Sequence, residues 1–134
     1  MILMKIESFM DEFIGLIKSD DYFSDMKIIK AYPCTAAPAR LSKETIALGF
    51  EKVDFSSVSV DDNSRAGSIS VFADIFVPLK TDNGRVCDIF SRLCRCFGRY
   101  NVISVSAQRI AVDMNTASYV MKTAFTFNDE IEVV

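Results

Sequence analysis

From Ser68 to Leu79 the chain alternates almost without interruption. Ile69, Val71, Ala73, Ile75, Val77 and Leu79 fall on one side of an extended backbone, with Phe72 and Phe76 on the other. A period of two in β-branched and aromatic residues predicts a strand, the clearest in the sequence. Apolar residues on both of its faces suit a surface that other subunits complete.

The remaining elements follow from the same reading of periods. Residues 2–19 carry Ile2, Ile6, Phe9, Met10, Phe13 and Ile17 at spacings of three and four, with charged and polar residues between them, which predicts an amphipathic helix of four to five turns. The break Ser19-Asp20-Asp21 ends it, and Met26 to Tyr32 reads as a short strand. Pro33 and Pro38 remove backbone donors, so 33–43 is expected to be an extended connection. Ile46, Leu48 and Phe50 start a second long strand that Val53 and Phe55 carry to about residue 58. A polar stretch around Asp61-Asp62-Asn63 separates it from the alternating strand, which makes a hairpin the expected pairing.

Beyond the hairpin, Asp82-Asn83-Gly84 opens a second helix, with Thr81, Asp82 or Asn83 as its cap. Val86, Ile89, Phe90, Leu93, Cys94 and Phe97 form its apolar face, and Gly98 stands where a left-handed C-terminal residue is expected. Val102–Val112 and Ser118–Phe127 read as two closing strands. The expected architecture is a single α+β domain over residues 1–134, with a largely antiparallel four-to-five-stranded sheet and two amphipathic helices packed on one face. The acidic segment 128–134 is expected to be a frayed or partner-dependent tail.

Composition narrows the chemistry. With no histidine among 134 residues, the chain lacks the commonest general acid or base near neutral pH and the commonest transition-metal ligand. A formal charge of −3 gives no support to generic nucleic-acid binding. No stretch has the roughly 18 consecutive apolar residues of a membrane helix. The start of the sequence lacks the features of a signal peptide, and a reducing cytoplasm is the expected compartment.

Four cysteines raise the question of a metal. Cys94 and Cys96 point to opposite sides of a helix, and Cys87 and Cys94 lie two turns apart, so neither pair converges on one ion. Together with Cys34 they are expected to be reduced and buried in the core. No metal or cofactor is expected, and no glycine-rich phosphate loop occurs.

Two features stand out as interaction candidates. Arg85, Arg92, Arg95 and Arg99, at intervals of seven, three and four, form a basic stripe on the second helix. It reads either as a solvated outer face or as a patch that docks the acidic surface of a neighbouring subunit or partner, or faces a DNA backbone. The polar hairpin connection containing Asp61, Asp62, Asn63 and Arg65 reads either as an extended arm or as a simple connector. Asp74, between Phe72 and Phe76, lacks a second convergent carboxylate in the sequence pattern.

The order of elements resembles the tail terminator and minor tail proteins of long-tailed bacteriophages and prophages. The likeness is carried by the N-terminal helix, the Tyr32-Pro33 to Pro38 connection, the long hairpin from Thr45 to Pro78, the helix near Asp82-Asn83-Gly84 and the closing hairpin. It implies a non-enzymatic protein that forms a homo-oligomer, typically a hexameric ring, on the tail tube and meets the head connector. It also implies the host cytoplasm during assembly and the virion tail afterwards. No residue roles transfer with it, because elements align and sites do not. The alternative expectation is a small-ligand or regulatory binding domain, with a pocket near Phe72, Asp74 and Phe76 between sheet and helices.

Overall fold

A computed structural model describes the backbone of residues 4–30, 41–61, 64–98 and 102–132, and side chains at 10–30, 41–52, 67–98 and 102–128. The elements are β1 (Met4–Lys5), α1 (Ile6–Lys18), a 3-10 turn (Asp21–Phe23), β2 (Lys27–Lys30), β3 (Thr45–Asp61), β4 (Ser64–Pro78), α2 (Gly84–Phe97), β5 (Val102–Ala107), β6 (Ala111–Asp113) and β7 (Ser118–Glu132). The fold is α+β, with one mixed sheet in the order β1-β7-β4-β3-β2. The short strands β6, β5 and β1 lie in turn along one edge of β7, while β4 lies along the other.

Three long antiparallel strands make the centre. In β4, Ile69, Val71, Ala73 and Ile75 stand opposite Phe127, Phe125, Thr123 and Met121 of β7, and Ala73 and Ile75 also face Leu48 and Ile46 of β3. Strand alternation therefore puts one apolar row from each strand on a single face, where α1 and α2 bury it. Met10, Phe13 and Ile17 of α1 meet that face at helical spacing, as do Val86, Ile89, Leu93, Cys96 and Phe97 of α2. At the centre, the Phe97 ring lies 4.9 Å from Phe13, 4.7 Å from Phe125 and 5.9 Å from Phe127.

Local chemistry sets the element ends. Ser19 Oγ donates to Leu16 O (2.7 Å) as α1 stops, and Asp20 Oδ1 accepts the Tyr22 N–H (3.0 Å) to cap the 3-10 turn. Asp82 Oδ1 accepts the Gly84 N–H (2.9 Å) at the start of α2, whereas Asn83 makes no side-chain cap. Gly98 has φ −63° and so sits in right-handed backbone, contrary to expectation; its N–H closes a last turn onto Arg95 O. Among the described residues, left-handed backbone occurs at Ala117 (φ 53°), in the turn before β7.

Three sequence expectations are corrected. Val102–Val112 is not one strand, because the chain leaves the ladder at residues 108–110 and rejoins it as β6. The hairpin connection around 56–67 is largely ladder: β3 extends to Asp61 and β4 starts at Ser64, with irregular register at Phe55/Ser59 and Ser59/Asp61. The segment 128–134 is not frayed over its first five residues, since Asn128 to Glu132 continue β7 opposite Ser68 to Ser64. The sheet is largely antiparallel, as expected, with two parallel joins, of β2 to β3 and of β1 to β7. Most of the 33–43 connection lies outside the described residues.

Candidate functional site

The arginines of α2 do not act as one stripe. Positions 85 and 92 are two turns apart on one flank of the helix, where the apolar face has already turned toward the sheet. That flank meets the connection between α1 and β2. Arg85 Nε and Nη2 donate to Glu44 Oε2 (2.6 Å) and Oε1 (3.3 Å), and its Nη1 donates to the Tyr22 hydroxyl (2.8 Å). Arg92 Nε and Nη2 donate to Asp20 Oδ2 (3.1 Å) and Oδ1 (3.2 Å). Both guanidinium groups lie near the Tyr22 ring, with their central carbons 4.9 and 5.2 Å from its centroid. Such forked pairing is what arginine's planar group allows and lysine's does not.

Asp20 collects these contacts. The Arg92 hydrogen bonds hold its carboxyl down to about 2, helped by the Tyr22 N–H and the Cys96 thiol, with partial burial opposing them. The reciprocal bond raises Arg92, and the Glu44 pair raises Arg85. A carboxylate whose folded pKa is depressed stabilises the fold above its ordinary pKa of 3.8, and that stability is lost as pH falls toward about 2. The urea midpoint of the natural chain is therefore expected to fall between about pH 5 and pH 2. An Asp20→Asn variant should lose less across this range, and coincident profiles would remove the pair from the account.

The structure thus turns two of the four candidate arginines inward, as a clamp joining α2 to the α1–β2 corner and to the start of β3. Arg95 is exposed, and Arg99 lies outside the described residues. Of the hairpin candidates, Asp61 and Arg65 are placed by their backbones, opposite Ser64 and Ser59, and their side chains lie outside the described set. Asp62 and Asn63 lie wholly outside it.

The cysteines divide in a way the sequence did not suggest. Cys96 is buried, Cys94 is half-buried with its thiol pushed up by burial, and Cys87 is exposed, so core filling holds for one and not for all three. The exposure of Cys87 follows from its place one residue after buried Val86, turned about 100° away from the sheet. Cys34 lies outside the described residues. Among the described residues no group of three potential ligands gathers for a metal.

Asp74 and Phe72 lie on the sheet face opposite the helices. With Glu51, Ser106, Gln108 and Lys122 they line a shallow groove of about 300 Å³. Phe76 instead packs with Ala47 and Val120 in a small separate cluster. The space that Phe72 and Asp74 line is thus on the open face of the sheet and not between sheet and helices. Burial pushes the Asp74 carboxyl up, more than the charge of its register partner Lys122 pulls it down, and Glu51 adds to the rise. The groove therefore holds two carboxylates from β3 and β4 that sequence spacing alone could not bring together.

The sequence reading also missed an exposed edge. Among the described residues, the large hydrophobics that stand exposed are Ile103, Val105, Val112 and Met114, all on β5, β6 and the turn that follows. The available signal was the uncharged run Val102 to Ala107. No protein-family model matches the chain, and no curated protein matches it.

Proposed function

We propose that this protein is a non-enzymatic structural component of a phage or prophage tail, which assembles into a ring that ends the tail tube and meets the head connector. The observation that carries the reading is the reach of the sheet. Among the described side chains the buried cluster reaches Ile69 of β4 and Phe127 of β7, and the ladder continues to Ser64 and Glu132, with β3 alongside to Asp61. Five further residues of strand extend about 16 Å. A hairpin backed by a third strand is stiff enough to reach into a neighbouring subunit, where a two-stranded hairpin alone is marginal. The element order and the absence of histidine agree with this reading.

The proposed partners are copies of the chain, the tail tube and the connector, met first in the host cytoplasm and retained in the virion. The test is native mass spectrometry and electron microscopy of the chain with purified tail tubes. A ring seated on tube ends is expected. Failure to bind tubes at any concentration overturns the reading.

The groove around Asp74 favours a second reading, a small-ligand or regulatory binding domain. A ligand that raises the melting temperature of the natural chain, and does so less for Asp74→Asn, would support it.

A further inference from the structure

β5 is a short edge strand with one irregularity, a register shift between Val102 and Ser104. Its sequence, Val102-Ile103-Ser104-Val105-Ser106-Ala107, contains neither charge nor proline, two of the devices by which natural edges deter pairing. The Gln108 N–H donates to Lys122 O (2.9 Å). Alternation along an antiparallel ladder then turns the N–H and C=O of Val105 and Ala107 away from β7. Among the described residues nothing pairs with that outer edge. On β5, β6 and the turn after them, Ile103, Val105, Val112 and Met114 are 54, 43, 55 and 77 % exposed.

We propose that this edge is covered by the same edge of a second copy, the two β5 strands running antiparallel about a two-fold axis with Val105 opposite Val105. In that register Ile103 of one copy stands opposite Ala107 of the other, and Ser104 opposite Ser106. Apolar residues meet apolar residues, and the outward groups of Val105 and Ala107 fall in hydrogen-bonded positions.

Charge and area favour a copy over an unrelated strand. A two-fold axis sets each residue near its own duplicate, so one lysine or glutamate here would repel itself, and the strand has none. The four exposed residues present roughly 400 Å² per copy, and a two-fold contact counts that area twice. The paired strands alone make a small contact, below the usual range for a permanent interface and in keeping with a weak, reversible pair. The pairing does not rest on the ring reading, because a two-fold pair closes on itself whereas a ring needs head-to-tail contacts.

Sedimentation equilibrium of the full chain should show a reversible dimer with a dissociation constant of about 1–100 µM. Val105→Lys should weaken it at least about tenfold while leaving the thermal unfolding of the monomer unchanged. In a Cys87→Ser background, Val105→Cys should cross-link to itself on mild oxidation, because hydrogen-bonded Cα pairs about 5.5 Å apart fall within disulfide range. Should Val105→Lys fail to fold, the cross-link decides the matter. A monomer at every concentration overturns the proposal, as does a dimer that neither substitution affects. Rings on tail tubes are scored separately, so rings without β5 pairing overturn this proposal alone.

Discussion

Replacing Phe97 by alanine is expected to cost about 3–5 kcal/mol, the usual range for removing a buried aromatic ring. Phe97 is fully buried and is the ring on which three others converge: Phe13 from α1, and Phe125 and Phe127 from β7. Its removal opens a cavity bounded by elements from different layers, so neither helix can close the space without leaving the sheet. A domain of this size is stable by about 5–15 kcal/mol, so the variant loses at least about a fifth of the total. Urea unfolding followed by circular dichroism measures the effect as a lower midpoint with a similar slope. A loss under about 1 kcal/mol would show that the aromatic cluster is not the centre of the core.

Deleting residues 129–134 is expected to cost about 2–4 kcal/mol, taking about 0.5–1.5 kcal/mol net for each lost backbone hydrogen bond. Gly67, Ala66, Arg65 and Ser64 would lose their β7 partners, and Met4 and Lys5 would lose the strand they join. A frayed tail makes the opposite prediction, a change within about 0.5 kcal/mol. The same denaturation experiment separates the two. Amide exchange adds a local check, since Ser64 to Gly67 should lose protection while Ile69 to Val77 keep theirs.

The main elements were legible in the sequence because each has a strong period. Ile69 to Val77 alternate, and Val86, Ile89, Leu93 and Phe97 recur at helical spacing, so strand and helix were both determined locally. What could not be read is what local pattern does not encode. The sequence Asn128 to Glu132 is polar and acidic, and it becomes strand because β4 offers it a continuous edge. Val102 to Val112 reads as one strand because apolar residues recur from Val102 to Val112, yet the chain is out of the strand at 108–110 before β6 begins.

The candidate site divides along the same line. That Arg85 and Arg92 share a flank followed from their spacing of seven. That Glu44 and Asp20 wait on that flank depends on contacts 41 and 72 residues apart in sequence. The partner of Asp74 in the open groove, Glu51, comes from the neighbouring long strand, and the exposed edge of β5 is defined by what does not lie beside it. None of these has a local signature.

The position of β7 has a consequence for how the molecule comes into being. This strand touches β1, β4, β5 and β6, so most of the sheet is organised around a segment that leaves the ribosome after all of them. Met4 finds its partner 127 residues later, at Ile131. Until then β4 has only β3 beside it, and Val71, Ala73 and Ile75 stand ready for a strand not yet made. Folding that depends on such distant pairings is slow and passes through states with open edges. In those states the open edge of β4 can meet another newborn chain before it meets β7.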